Sequence, residues 1–243
     1  MKHLTTFFFC ILTYASFGQT SGHYLTISYS NNGQIYDAID QFYFFALSGY
    51  QPNNDVFNYE QSDLKFNFQY EYVTHKNLVL FGKVGYSDRK DSYTISSVRP
   101  AHGNKEQNYL NISLGAKYIL EGDNLQFSAG IEIPYYKIST YKEKLFLTDP
   151  QNTFYQTQFI DGGTVYGLNT IYSAKFFFTK TFFLSADLDF GLLFFNLGGQ
   201  SNTVIDYQNP IQYPTSPYTP YDDSYKKTTV SKPEFYFGIG AKL

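Results

Sequence analysis

The chain of 243 residues has no tryptophan and a single cysteine, Cys10. It is poor in charge: Asp, Glu, Lys and Arg make up 16% of the residues, against roughly 25% in ordinary soluble domains. Beyond the extreme N-terminus no apolar run approaches the roughly 20 residues a membrane-spanning helix needs, and the mean hydropathy is -0.32. A net charge of -3 gives no basic surface, which excludes nucleic acid as a partner. The length is that of one domain.

The N-terminus carries an address. Met1-Lys2-His3 is a short positive start, and Phe7 to Tyr14 is an apolar run rich in Phe. Ser16-Phe17-Gly18 then puts small residues at the two positions a signal peptidase reads. Residues 1–18 are therefore expected to be a secretory signal peptide, leaving 19–243 as the mature domain. The apolar run is too short for an anchoring helix, and the residues before Cys10 are too large for a lipoprotein cleavage site. Cleavage removes Cys10, so the exported domain must hold together without disulfides. A closed barrel, with every strand bonded on both sides, is one way.

Aromatics are plentiful: 25 Tyr and 25 Phe, 21% of the chain. They fall in alternating patterns. From Leu64 to Val73, Leu64, Phe66, Phe68, Tyr70 and Tyr72 share one face and Asn67, Gln69 and Glu71 the other. His75-Lys76-Asn77 then turns the chain into Leu78 to Ser87. A second unit runs from Tyr109 to Leu120, turns at Glu121-Gly122-Asp123-Asn124, and returns from Leu125 to Tyr136. A third runs from Tyr166 to Phe178, turns at Thr179-Lys180-Thr181, and returns from Phe182 to Phe195. A period of two sustained for about ten residues, with glycine scattered through it, reads as strand rather than helix. Short turns of Gly, Asn, Asp and Lys fit hairpins.

The C-terminus completes the pattern. Phe235, Phe237, Ile239, Ala241 and Leu243 form an apolar face that reaches the last residue, while Tyr236, Gly238, Gly240 and Lys242 form the other. Such an ending resembles the closing strand of an outer-membrane β-barrel, in which these residues are the signal read by the barrel-insertion machinery. The resemblance spans residues 19–243 and is to the small OmpX, OmpW and OmpA-barrel type, with no motif that selects a subfamily. Leu243 stands where Phe is commoner, and the absent tryptophan is a second departure. The resemblance implies a closed, antiparallel, up-and-down transmembrane β-barrel in the outer membrane of a Gram-negative-type cell, embedded in lipid.

Loop lengths agree with that topology. If the last strand ends in the periplasm, the three tight turns all fall on that side. The long segments Asp88 to Gln107, Ser139 to Gly163 and Gly198 to Ser231 all fall outside. Seven strands are placed this way, and parity requires an eighth before Leu64. Tyr24 to Ser30 is preferred, with Leu25, Ile27 and Tyr29 facing lipid, which makes Asn31 to Ser62 a long first outer loop. Gln41 to Tyr50 is the competitor, and ten strands result if both span. Lys144 to Thr148 and Phe154 to Ile160 can form a protruding hairpin about Asp149-Pro150-Gln151-Asn152. Tyr70, Tyr72, Tyr86, Tyr118, Tyr135 and Tyr172 are assigned to an aromatic girdle at the headgroups.

The other face holds the chemistry. Glu71, Lys83, Lys117, Glu132, Lys175, Asp187, Asp189 and Lys242 all project into the lumen on this assignment. Each hairpin brings an acid and a base, which predicts the diagonal pairs Glu71 with Lys83, Glu132 with Lys117 and Asp187 with Lys175. An eight-stranded lumen is too narrow for a porin-like channel, so the network is read as filling, with limited small-solute passage as the alternative. Asp187 and Asp189 could suggest acid–base catalysis, but Lys175 lies close enough to neutralise one. His23, His75 and His102 have no spacing suited to a metal and no nucleophile in view. The expectation is no enzyme activity and no cofactor.

One segment outside the strands stands out. From Tyr207 to Asp223, proline and tyrosine interleave, with Tyr207, Tyr213, Tyr218 and Tyr221 as candidate contacts for an extracellular glycan or protein. The resemblance implies surface recognition or adhesion through outer loops, or a structural role in the envelope. A secreted lipocalin-like barrel is the soluble alternative, and there Phe127 and Ile131 would line an apolar cavity while Glu132 faced water.

Overall fold

The computed structural model describes residues 22–30, 57–74, 77–95, 101–120, 124–148, 153–207, 221–231 and 233–243. The expected leader, the competing strand at Gln41 to Tyr50, His75, Tyr213 and Tyr218 lie outside these residues. Every regular element described is a strand: β1 (Gly22–Ser30), β2 (Phe57–Val73), β3 (Leu78–Ile95), β4 (Ala101–Leu120), β5 (Leu125–Ile138), β6 (Tyr141–Thr148), β7 (Thr153–Ile160), β8 (Gly163–Phe177), β9 (Phe182–Tyr207), β10 (Tyr221–Val230) and β11 (Glu234–Lys242). All pairings are antiparallel.

The strands close on themselves. The order β11-β1-β2-β3-β4-β5-β8-β9 ends where β9 pairs back to β11, with Phe237 opposite Ala186 and Ile27 opposite Ile239. Eight strands therefore form the ring, and β1 is the segment preferred from the sequence. Hydrogen bonding persists to the chain end: Leu243 N donates to His23 O at 2.8 Å. Closure matters because a bare sheet edge in hydrocarbon leaves N–H and C=O groups with no partner.

β6, β7 and β10 continue the ring upward. β6 follows β5 along the edge of β4, β7 precedes β8 along β9, and β10 precedes β11 on the other edge of β9. A one-residue bulge marks each junction. Ser139 and Thr140 interrupt β5–β6, and the stretch from Ser231 to Pro233 separates β10 from β11. In β9 the extra residue falls at Gly198 and Gly199, whose φ values of 80° and 148° suit glycine. The bulges invert the facing of the residues beyond them: Tyr136 and Ile138 look inward below Ser139, Tyr141 and Glu143 above it.

Two sequence expectations are corrected by the strand bounds. The long outer segments are largely strand: β3 runs on to Ile95, β4 begins at Ala101 and β9 continues to Tyr207. Asn58 to Ser62, assigned to a first loop, belong to β2. These stretches are largely polar in sequence, so hydrophobic alternation fades while backbone pairing persists. The two arms of the expected hairpin, β6 and β7, pair antiparallel with Leu147 opposite Phe154, while Asp149 to Asn152 lie outside the described residues.

The oily side chains look outward. Phe127 is 51% exposed and Ile131 53%, whereas Lys117 is 1% exposed and Glu71 fully buried. The outward apolar belt runs from Leu78 to Tyr86 in β3, Tyr118 to Leu110 in β4 and Leu125 to Tyr135 in β5. Each span is close to the roughly 9–11 residues a tilted strand needs to cross a bilayer. Above it the outward positions turn polar: Lys90, Asn104, Glu106, Lys137 and Asn196 are exposed. Tyr86, Tyr135 and Tyr166 mark the upper edge and Tyr72 and Tyr118 the lower. Tyr172 is not at an edge; it stacks on Phe190 inside the belt, with ring centroids 6.0 Å apart.

Candidate functional site

The lumen is the candidate site, and strand parity places its side chains. It is layered along the barrel axis. At the end of the tight turns Tyr24, Phe177 and Phe183 close together, with ring centroids 5.2–6.1 Å apart. Val79, Phe81 and Ile119 are buried beside them. Phe183 lies against Gly240 and Phe81 against Gly115, each ring occupying the space a Cβ would take.

An ionic cluster follows. Glu71 receives Lys117 Nζ at 2.6 Å and is also bonded by Lys175. Gln69 donates to the same carboxylate at 2.6 Å, and Lys117 reaches Ser173 Oγ at 3.1 Å. The ammonium of Lys175 lies 4.3 Å from the Tyr24 ring, which the electron-rich face of the ring favours.

A second cluster lies above. Lys83 pairs with Glu132 at 2.8 Å and Asp189 at 3.2 Å. Lys65 pairs with Glu234 at 2.6 Å, donates to Tyr236 OH at 2.7 Å, and sits 4.7 Å from that ring. Higher still, the inward side chains of Tyr109, Tyr136, Ile138, Tyr141, Ile160, Val165, Leu193, Phe195 and Leu197 pack into one apolar plug. Arg89 and Asp91 pair at 2.7 Å in the upper lumen, both buried.

The residues expected to face inward do so, but with different partners. Among the described residues no ion pair joins Glu71 to Lys83, Glu132 to Lys117 or Asp187 to Lys175. Lysine stems are long enough to skip a strand: Lys117 of β4 passes β3 to reach Glu71 of β2, and Lys83 of β3 bridges β5 and β9. Lys242 is exposed at the mouth, 6.0 Å from the Tyr24 ring, and takes no part in the buried network. Lys65 and Glu234 are additional members. Lys65 shares the parity of Asn67, Gln69 and Glu71, so extending that count by one step finds it; Glu234 has the parity of Tyr236. Such pairs are costly to break, because removing one partner strands a charge where water cannot reach.

The other candidates are dispersed. His23 points outward against Tyr70 and Tyr72, 2.5 Å from Tyr70 OH, and His102 lies 3.1 Å from Thr94 Oγ1. Among the described residues no group of three or more His, Cys, Asp or Glu is arranged to hold a metal. Tyr207 and Tyr221 fall at the ends of β9 and β10 rather than in a loop. Phe235, Phe237 and Ile239 are exposed on the belt, with Ala241 and Leu243 partly so.

No protein-family model and no curated protein matches the chain. Among solved structures it is similar to the outer membrane protein OprG from Pseudomonas aeruginosa, at 12% identity over 93% of this chain and 98% of that one, with a TM-score of 0.40. Neisserial surface protein A (NspA) is 10% identical over 91% of this chain and 97% of its own, with a TM-score of 0.38. Ail, the attachment invasion locus protein of Yersinia pestis, is 11% identical over 92% and 97%, with a TM-score of 0.36.

Proposed function

We propose that this protein is an integral outer-membrane β-barrel of a Gram-negative-type envelope, inserted through its C-terminal strand, that presents a β-structured surface for recognition or adhesion. The apolar belt around a charged lumen carries the membrane assignment. A soluble barrel holding an apolar ligand would turn Phe127 and Ile131 into its cavity; both point away from it. The surface role rests on the upward continuation of the ring. Strand β9 alone spans 26 residues, far more than a bilayer crossing needs, and β3, β4, β6, β7 and β10 rise with it. Solute passage is disfavoured by the lumen, which is occupied by Tyr24, Phe177 and Phe183 at one end and the Tyr109 to Leu197 plug toward the other. Acid–base catalysis at Asp187 and Asp189 is disfavoured by the same enclosure, and Asp189 is engaged by Lys83. An extracellular glycan or protein is the partner class for the outer strands.

Cysteine accessibility tests the assignment. Cys10 is the only native thiol and leaves with the expected leader. Asn104→Cys in upper β4 reacts with a membrane-impermeant maleimide on intact cells. Lys180→Cys in the turn between β8 and β9 reacts only after the outer membrane is opened. Labelling of both, or of neither, on intact cells contradicts the orientation.

A further inference from the structure

The outer wall of the barrel is not uniformly bulky. On β3 and β4 a large neighbour covers each small outward residue: Gly82 stands opposite Leu114, and Ala116 opposite Leu80 and Ile131. On β8 and β9 small meets small. Ala174 stands opposite Ala186, and Phe127 and Phe237 flank the pair on the strands to either side. One level further from the tight turns, Ala129 lies between Tyr118 and Tyr172. The three alanines open a furrow of about 510 Å³ in the outer wall. Ser128, Ser173 and Asp187 border it as well, but their side chains are buried on the lumen face.

We infer that this furrow seats an acyl chain of a phospholipid in the periplasmic leaflet, whose phosphate meets Lys180. The inference rests on the membrane placement proposed above. The furrow is continuous with the lipid-facing belt and lies toward its lower edge: Ala174 sits near the end of β8 and Ala186 near the start of β9. The side chains turned toward it are hydrocarbon or tyrosine rings, so a polar occupant gains nothing there. Width excludes a helix. Adjacent strands are roughly 4.7–4.9 Å apart, so the alanine pair opens a slot narrower than the about 10–12 Å of an α-helix with its side chains. The wall of a second barrel would rest on the flanking rings rather than enter. A flexible hydrocarbon chain enters, and close contact with the walls holds it where burial from water gives no advantage over bulk lipid. Charge agrees. Lys180 is exposed in the turn that joins β8 to β9, beside the stacked rings of Phe178 and Phe182, whose centroids are 6.4 Å apart. Its ammonium therefore stands at the headgroup end of the furrow, where a phosphodiester complements it.

Native mass spectrometry of the full mature protein, released from micelles containing phosphatidylglycerol, tests this. The expected result is one phosphatidylglycerol retained per chain after the detergent is stripped. Filling the furrow with Ala174→Leu and Ala186→Leu is expected to weaken retention roughly tenfold, the loss of about 1.4 kcal/mol of contact. Lys180→Gln should weaken it severalfold, and Val84→Leu, on the belt at β3, should leave it unchanged. No retained lipid, retention that survives filling, or a dimer that filling dissolves overturns the inference. A second measurement leaves the furrow open. The chain has no native tryptophan, so Phe127→Trp reports on the furrow and Val84→Trp on the belt outside it. One equivalent of phosphatidylglycerol brominated in its acyl chains is expected to quench the first and spare the second; equal quenching, or none, counts against the site. The cysteine labelling described above reads orientation alone, so failure of the furrow and failure of the orientation give different results.

Discussion

Ser231 and Gly191 hold each other by two bonds: the Ser231 N–H donates to the Gly191 carbonyl at 2.7 Å, and the Gly191 N–H donates to Ser231 Oγ at 2.7 Å. Ser139 and Asn108 repeat the arrangement, with N–H to carbonyl at 2.9 Å and N–H to Oγ at 3.0 Å. Both serines lie at bulges where the two chains fall out of step by one residue. In each case the hydroxyl stands in for the carbonyl that the bulge has displaced.

Ser231→Ala and Ser139→Ala are therefore expected to leave one backbone N–H without its partner. Each costs about 1 kcal/mol, and the two effects add because the sites are separate. Urea unfolding midpoints of the protein refolded in lipid vesicles check this. Wild-type midpoints in both variants would show that the hydroxyls are dispensable.

Removing Glu71 leaves Lys117 and Lys175 without their shared carboxylate. Glu71→Met is expected to cost roughly 3–5 kcal/mol. Adding Lys117→Met and Lys175→Met should recover most of that loss, because no stranded charge remains. The comparison is made on the same unfolding assay, and a triple variant less stable than Glu71→Met refutes the network as drawn.

Membrane depth can be read by placing charge on the outer wall. Leu114 is 66% exposed near the middle of the belt. Leu114→Arg is expected to cost about 2–4 kcal/mol, as a cation at the bilayer midplane does. Asn104→Arg, on the same outward face of β4 but above the belt, is expected to be close to neutral. Equal effects at the two positions would remove the bilayer from the account.

Gly115 leaves room for the Phe81 ring, and a Cβ there would meet both that ring and the Ile131 carbonyl. Gly115→Ala is expected to destabilise by about 1–3 kcal/mol through overpacking. Pairing it with Phe81→Leu should relieve much of the strain, which a double-mutant cycle measures directly.

How much of this was legible in the residues depends on range. Alternation fixed the facing of Phe66, Phe68, Lys83, Lys117 and Glu132 because facing is local, set by a period of two. Closure was legible only in outline, from turn lengths and the C-terminal strand. The ionic partners were not: which lysine meets Glu71 depends on ring order and stagger, and Lys175 joins it from 104 positions away in sequence. The upper strands were missed for a different reason. Arg89 to Ser92 carry no apolar face, so nothing in their pattern separates strand from loop, although Arg89 opposes Gln107 in an unbroken ladder.

The inserted residues at Ser139, in β9 and near Ser231 act as phase breaks. Below them the order of greasy and wet positions answers to lipid; above them the count restarts, and the facing of Lys142 or Lys144 is no longer bound to that of Tyr135. The upper storey can be rewritten residue by residue while the lower one keeps its rhythm, so variation in what the cell displays need not disturb how the barrel is anchored.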